Sequence, residues 1–203
     1  MKKKLILFAV FLILASFTTV FCVGAETVTY TVVRGDSLWK ISVRYQVGLS
    51  EIISANPQFK NPNLIYPGDK VYVPLTNTQT TSYEQQVIDL VNQIRVKNGL
   101  AKLTANWQLS RVARYKSQDM HDKKYFSHTS PTYGSPFDMI RNFGISFRTA
   151  GENIAQGYKT PQAVVDGWMN SSGHRANILN ASFTEIGVGY VADGSYWTQM
   201  FIG

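Results

Sequence analysis

The chain has 203 residues, of which 44% are hydrophobic and 16% are charged, and its formal net charge is +7. An apolar fraction of this size supplies a hydrophobic core, which excludes a chain that is disordered throughout. The single Cys excludes an intramolecular disulfide framework and the cysteine-rich zinc motifs, and three His leave little material for a histidine-rich metal site.

Residues 1–25 have the layout of a secretory signal peptide. Three lysines at positions 2–4 precede an apolar run at 5–17, and Val23-Gly24-Ala25 offers the small residues that a signal peptidase reads. The alternative is an uncleaved membrane anchor, because weak apolar character continues to Val23 and a spanning helix needs ~20 residues. We expect cleavage and secretion, with no stable membrane insertion afterwards.

Cleavage changes the charge balance and the cysteine count. Residues 1–25 contain three lysines, no acidic residue and the only cysteine, so the remainder has a net charge of +4 and no thiol nucleophile. The remaining basic residues are scattered, without the block of Lys and Arg that follows a phosphate backbone. Nucleic acid is therefore not an expected partner.

The first predicted domain spans residues 28–74 in the order strand, helix, helix, strand. A β-branched stretch at 30–33 predicts the first strand, and Asp36 or Ser37 caps the first helix. A second helix follows, and residues 71–73 alternate as a closing strand. We expect both helices on one face of a two-stranded sheet.

This segment resembles the LysM module along its whole length. The matching positions are Tyr30, Val32, Gly35-Asp36-Ser37-Leu38, Ile41, Asn56-Pro57, Leu64-Ile65, Pro67-Gly68 and Val73-Pro74. The resemblance implies binding of glycans that contain N-acetylglucosamine, in peptidoglycan or a chitin-like polymer. It implies a shallow groove between two loops, with ligand-binding residues Gly35, Asp36, Ser37, Leu38, Asn63, Leu64 and Ile65.

Within this groove we expect Asp36 and backbone amides to hydrogen-bond acetamido groups, and Leu38 and Ile65 to supply apolar contact. The alternative for single residues is structural, with Gly35 serving only a turn and Leu38 only the core. Residues 75–82 are polar, uncharged and without apolar periodicity, which predicts a short linker.

Residues 83–203 predict an α+β domain without an internal repeat. Ser82-Tyr83-Glu84-Gln85 has the form of a capping box and starts the first helix. Later helices are predicted from Gln108 to about Asp122, after Ser135-Pro136 with Phe137, Met139 and Ile140, and from Thr160-Pro161. Two strands follow at 186–191 and 196–202 around an Asp193-Gly194 turn.

Five phrases of this domain resemble the CAP superfamily, in particular its secreted, spore-associated bacterial branch. They are Tyr125-Phe126-Ser127-His128, the phrase AGENIA at 150–155, SSGHRANIL at 171–179, FTEIGVGY at 183–190 and YWTQ at 196–199. The resemblance implies a three-layer α-β-α sandwich. The fold class expected for the whole chain is therefore α+β, a βααβ LysM module followed by this sandwich.

The resemblance also implies a cleft lined by two His and two acidic residues. His128, Glu152 and His174 match three of them. The fourth, a Glu just before the second His in eukaryotic relatives, is Ser171 here, and Glu185 is the carboxylate that can replace it. These four residues, His128, Glu152, His174 and Glu185, are the candidate catalytic set.

Several chemistries fit this set. The imidazoles of His128 and His174 facing carboxylates can bind a divalent metal such as Zn²⁺, or a carboxylate can orient a His as general base. Alternatively, Glu152 and His174 form a buried structural pair, and the Gly151-Glu152-Asn153 motif is a structural turn. The common zinc peptidase signatures are missing, including H-E-x-x-H.

His121, in a polar stretch, is expected to be solvated.

These patterns predict a secreted protein of the cell wall or the spore envelope. LysM anchors it to peptidoglycan, and the CAP domain presents a His/Glu cleft whose activity the sequence leaves open. The alternatives are a metal-dependent cell-wall hydrolase and a lipid-binding CAP protein. Neither the substrate nor the oligomeric state follows from the sequence.

Overall fold

A computed structural model describes residues 26–203 of the chain. The predicted export signal, with its alternative as a membrane anchor, falls in residues 1–25 and so lies outside the described residues. From residue 26 to residue 203, no helix combines the length and the apolar character that crossing a bilayer requires.

The N-terminal part of the described chain is a small βααβ unit, as the sequence predicts. Its elements are β1 Thr27–Thr31, α1 Leu38–Tyr45, α2 Leu49–Ala55 and β2 Lys70–Pro74. Ser37 caps α1 through its side chain, and both helices pack with both strands around one apolar core. The strands are antiparallel, with Thr31 opposite Lys70. The loops at 32–37 and 56–69 therefore lie at the same end of the sheet.

The next helix, α3, spans Thr78–Lys97 and begins earlier than the sequence predicts. The capping box at Ser82 is not used, because the Asn77 side chain accepts hydrogen bonds from backbone N–H groups of the first turn instead. That first turn is polar on all sides, so no apolar period marks it as helical. The predicted linker 75–82 is helical from residue 78, and only residues 75–77 connect β2 to α3.

The remaining described residues build a four-stranded sheet with helices on both faces. The elements in chain order are β3 Thr104–Ala105, α4 Trp107–Asp122, α5 Pro136–Asn142, β4 Ala150–Gln156, α6 Pro161–Met169, α7 Ser172–Ile178, β5 Glu185–Val191 and β6 Tyr196–Ile202. The strand order is β3-β5-β6-β4, and all pairs are antiparallel except β3 with β5. The predicted helices in this part and the two closing strands are confirmed within one or two residues.

Three local features do not follow from the sequence patterns. Phe137 is exposed on α5, because Met139 and Ile140 already fill the side of this short helix that faces the core. The segment 172–178 forms α7, which no apolar period indicates. Gly151-Glu152-Asn153 is not a turn but part of β4, at the edge of the sheet.

The sheet separates two apolar cores. One lies under α4 and α5 and contains Leu109, Met139 and Met200. The other lies under α3, α6 and α7 and contains Trp168 and Phe201, the neighbour of Met200 on β6. Successive β6 residues thus alternate between the two faces. This arrangement is the three-layer α-β-α sandwich, and it confirms the α+β fold class.

Two glycines on β5 set the distance between α4 and the sheet. A Cβ added to Gly189 would lie 2.1 Å from the backbone N of Arg114, and one added to Gly187 would lie 2.4 Å from the backbone C of Leu109. The α4 backbone therefore rests directly on the β5 backbone, which only glycine permits. Side chains of α4 also hold the loop that carries His128. The close approach of α4 to β5 therefore positions this candidate site residue.

Candidate functional site

The candidate site begins on the edge strand β4, where Glu152 is buried. Its backbone pairs with Met200 on β6, and its carbonyl oxygen accepts a hydrogen bond of 3.2 Å from Asn177 Nδ2 of α7. The carboxylate lies on the α4 side of the sheet, and only 2% of the side chain is exposed. The Oε2 atom has no hydrogen-bond partner among the described residues.

His128 joins this carboxylate from the loop that follows α4. Its Nδ1 lies 2.7 Å from Glu152 Oε1, and because a carboxylate only accepts, the ring N–H donates. The His128 side chain is 53% exposed, in contrast to its partner. A buried carboxylate thus holds an exposed imidazole whose Nε2 makes no hydrogen bond within residues 26–203, which is the arrangement of an oriented general base.

Beneath this pair lies Lys116, a residue that the sequence interpretation missed. Its side chain is fully buried, and Nζ donates to the carbonyl oxygens of Ser127 at 2.7 Å and His128 at 2.8 Å. A third hydrogen bond, of 3.2 Å, reaches the Tyr125 hydroxyl. The signal was present, because Lys116 interrupts the apolar stripe of α4 one turn after Val112.

The loop that carries His128 is held by a second buried charge, Asp119. Its Oδ2 accepts hydrogen bonds from the Tyr125 hydroxyl at 2.6 Å and the Ser130 hydroxyl at 2.7 Å, and its Oδ1 accepts from Thr132. Burial and the bond to Asp119 raise the pKa of Tyr125, which keeps its hydroxyl protonated as a donor. The His128 loop is therefore fixed by α4 on both sides.

His174 reaches the same site from α7. Its carbonyl oxygen accepts a hydrogen bond of 3.1 Å from Asn153 Nδ2 on β4. Burial lowers the pKa of the His174 ring, and the nearby charge of His128 lowers it further. The fold therefore brings His128, Glu152 and His174 together around the β4 edge, although they are far apart in sequence. The bond to Glu152 is made by His128, not by His174.

Glu185 does not join this group. It lies at the start of β5, which β6 separates from β4, and its carboxylate accepts a hydrogen bond of 2.6 Å from Asn106 Nδ2. Asn106 is the N-cap residue of α4, so Glu185 braces that helix end. The expectation that Glu185 supplies the missing cleft carboxylate is wrong, because sheet order places it two strands away. Ser171 is the N-cap residue of α7.

His121 is partly exposed, at 29% of its side chain, and it also pairs with two exposed carboxylates. Its Nδ1 lies 2.6 Å from Asp122 Oδ1, and its Nε2 lies 3.0 Å from Asp193 Oδ2. The ring therefore ties the end of α4 to the turn between β5 and β6, a contact that only the fold creates.

The metal hypothesis was tested on the donor set. The Nδ1 of His128 is occupied by Glu152, and the described residues contain no cluster of three or more His, Cys, Asp or Glu side chains arranged to hold a metal ion. His128 and His174 alone do not complete a zinc site, which takes at least three protein ligands. The described residues therefore do not fit a resident metal.

His128 and His174 are expected to titrate on opposite sides of the ordinary histidine pKa. The hydrogen bond to Glu152 raises the pKa of His128, while burial lowers that of His174. Since the folded pKa of His128 is raised, its charged bond stabilises the fold below the unfolded value of about 6.5 and is lost as pH rises through the folded pKa. An NMR titration of the ring nitrogens measures both.

The matched variants for this titration are Glu152→Gln and Glu185→Gln. The first removes the charge that His128 contacts, so the His128 pKa should fall. The second changes a carboxylate that contacts Asn106 instead, so the His128 pKa should stay at its native value. Equal His128 titrations in both variants would contradict the assignment of the pair.

The two loops of the predicted glycan groove meet at the free end of the N-terminal sheet. Asp36 is committed internally, because its Oδ2 accepts from the Tyr30 hydroxyl at 2.7 Å and from the Val33 N–H at 3.0 Å. These bonds lower the pKa of Asp36. The Leu38 side chain belongs to the core and is only 2% exposed. Neither side chain offers the ligand contact that the sequence predicts, and Ser37 is used as the α1 cap.

Other predicted groove residues remain available. Leu64 is 52% exposed, and Asn63 is exposed beside it, whereas Ile65 packs partly against the core. Within residues 26–203, the backbone N–H groups of Gly35 and Ile65 donate to no acceptor. The loops thus present backbone donors next to apolar surface, which suits a sugar carrying an acetamido group.

Comparisons with known proteins agree with both parts of the fold. Residues 88–201 match CAP, described as the cysteine-rich secretory protein family, and residues 30–74 match the LysM domain. The uncharacterized protein YkwD of Bacillus subtilis (strain 168) is 61% identical over 134 residues, which are 63% of this chain and 52% of YkwD. The spore coat assembly protein ExsA of Bacillus cereus is 44% identical over 45 residues, which are 22% of this chain and 7% of ExsA.

Solved structures give the same result. An extracellular protein containing a SCP domain from Bacillus anthracis str. Ames matches with a TM-score of 0.59 and 39% identity, over 67% of this chain and 47% of that one. This chain therefore spans about half the length of YkwD and of the Bacillus anthracis protein.

Proposed function

We propose that this chain, which belongs to the CAP family of cysteine-rich secretory proteins and carries a LysM domain, is a secreted protein of the cell wall or spore envelope. The LysM domain binds peptidoglycan through N-acetylglucosamine, and the CAP domain presents the His128–Glu152 pair at the wall. Anchoring of this kind raises the local concentration of the second domain at its target. The similarity to an extracellular protein and to a spore coat assembly protein supports this location.

One observation carries the glycan-binding proposal. Two loops lie together at the free end of the LysM sheet, and they combine exposed Leu64 with the N–H groups of Gly35 and Ile65, which have no acceptor among the described residues. Amide donors recognise the acetamido carbonyl, while an apolar side chain packs on a pyranose face or a methyl group. Asp36 contributes indirectly, by fixing the first loop through Tyr30 and Val33.

Replacing Leu64 with Asp is expected to weaken binding of N-acetylglucosamine oligomers by about tenfold or more, which corresponds to about 1.4 kcal/mol of lost apolar contact. Isothermal titration with chitin oligomers measures the affinity. The control is Val96→Asp, because Val96 has the same 52% exposure but lies on α3 of the CAP domain. Equal affinities of the two variants would contradict the proposed groove.

A second candidate function is supported by the His128–Glu152 geometry. A buried carboxylate that orients an exposed imidazole at 2.7 Å favours hydrolysis of a wall bond with His128 as general base. Release of soluble fragments from purified peptidoglycan, with and without added Zn²⁺, tests it against Glu152→Gln. Absence of release from the native protein under both conditions would exclude this function and leave the binding proposal intact.

A further inference from the structure

The LysM and CAP domains are joined by a very short connection. β2 ends at Pro74 and α3 begins at Thr78, so residues 75–77 alone span the junction. Both ends of this segment are fixed. The Leu75 N–H donates to the Glu26 carbonyl at 2.7 Å, beside the LysM sheet, and Asn77 caps the first CAP helix.

The two domains also meet directly, through Arg111 of α4. Its Nε and Nη2 donate to the two carboxylate oxygens of Glu51 on α2, at 2.6 and 2.8 Å, and Nη2 donates to Ser50 Oγ at 2.8 Å. The guanidinium lies over the rings of Tyr115 and Phe143, at 5.3 and 5.1 Å from their centroids. A bidentate, stacked arginine holds its partner in one orientation, which a single point charge does not.

The LysM backbone is shaped to accept this side chain. Gly48 lies in the turn between α1 and α2, and a Cβ there would fall 2.0 Å from Glu51 Oε2 and 2.2 Å from Arg111 Nε. Glycine thus leaves room at this turn for the Glu51–Arg111 pair, which a larger residue would have to displace. Leu49, next along the chain, begins the helix that carries Glu51.

This junction leaves both candidate sites open. The turn at 46–48 follows the end of α1, whereas the glycan loops at 32–37 and 61–66 lie at the opposite end of the sheet, where α1 begins. On the CAP side, Arg111 and Lys116 project from different sides of α4, five residues apart. Lys116 holds the His128 carbonyl. One helix, α4, thus connects the docking residue to the His128–Glu152 pair.

We propose that the α1–α2 turn of LysM and the Arg111 face of α4 form a permanent docking surface, so that LysM is a rigid mount and not a flexible tether for the CAP domain. The His128–Glu152 site then keeps a fixed orientation relative to the glycan loops. A bound glycan strand determines which direction the site faces along the wall. This proposal does not depend on whether the site is catalytic.

Residual dipolar couplings of residues 26–203 test the docking surface. In the native protein, couplings from the LysM and CAP domains should fit one shared alignment tensor. In Arg111→Ala, and independently in Glu51→Ala, the two domains should require separate tensors. The control is Arg141→Ala, because Arg141 pairs with Asp138 and lies over Phe147, all within the CAP domain.

A further variant separates docking from a merely short connection. Six Gly and Ser residues inserted after Thr76 lengthen the connection while the Arg111 contacts remain, so one tensor should still describe both domains. Separate tensors in the native protein or in the insertion variant would overturn the proposal. One shared tensor in Arg111→Ala and Glu51→Ala would also overturn it, because the orientation would then not depend on this contact.

Discussion

Replacing Gly189 with Ala is expected to lower the free energy of unfolding by about 3 kcal/mol, the upper end of the usual cost of overpacking. The added Cβ would lie 2.1 Å from the Arg114 N and 2.2 Å from the Ala113 carbonyl carbon. Both neighbours are helix backbone, so no side-chain rotation relieves the clash. α4 must move away from β5, which disturbs the core on that face and the loop that carries His128. Urea unfolding followed by circular dichroism measures the loss.

The matched control is Gly173→Ala. Gly173 lies in α7, and an added Cβ meets no atom within 4 Å. Alanine there should stabilise the helix by up to about 1 kcal/mol. If Gly189→Ala unfolds at the same urea concentration as the native protein, the direct contact of α4 with β5 is wrong.

Replacing Lys116 with Met is expected to destabilise the fold by about 3 kcal/mol, because the part-buried carbonyl oxygens of Ser127 and His128 lose the donor of the buried Lys116. Burial lowers the pKa of Lys116, while the charges of Glu152 and Asp119 raise it. Removing the cation alone leaves these acceptors and the buried carboxylates of Glu152 and Asp119 in place, so the saved desolvation of Lys116 does not compensate. Chemical unfolding measures the loss, and the His128 ring resonances report the position of the pair.

The control for this variant is Lys102→Met, which changes an exposed lysine that precedes β3. Its unfolding midpoint should stay close to that of the native protein. Equal midpoints for Lys116→Met and Lys102→Met would show that Lys116 does not support the loop of the candidate site.

The features that local chemistry determines are the ones that the sequence predicts well. Ser37, Ser135 and Thr160 cap α1, α5 and α6 through their own side chains, as their positions before apolar stripes indicate. The start of α3 was predicted wrongly, because Asn77 precedes a turn with no apolar face and the sequence at Ser82 has the form of a capping box.

Local sequence patterns predict only part of the candidate site. Resemblance selected His128, Glu152 and His174, and the fold brings them together. Glu185 was misplaced because strand order depends on long-range pairing, which no local pattern contains. Lys116 was overlooked because its role depends on carbonyl groups eleven and twelve residues later in the chain. Its place in an apolar helical stripe was the available signal.

In the glycan groove, too, some features follow from the sequence and others depend on the packed fold. The turn at Gly35 and the cap at Ser37 follow from sequence, but the inward side chain of Leu38 and the internal bonds of Asp36 depend on the packed module. The proposed contact therefore moves from these two side chains to Leu64 and to backbone N–H groups.

Co-sedimentation of residues 26–203 with insoluble peptidoglycan tests the central claim most directly. We expect the native protein to pellet with the polymer and to be released by soluble N-acetylglucosamine oligomers, while Leu64→Asp remains largely in the supernatant. A native protein that stays in the supernatant, or one that oligomers fail to displace, would contradict the claim that LysM anchors this chain to the wall.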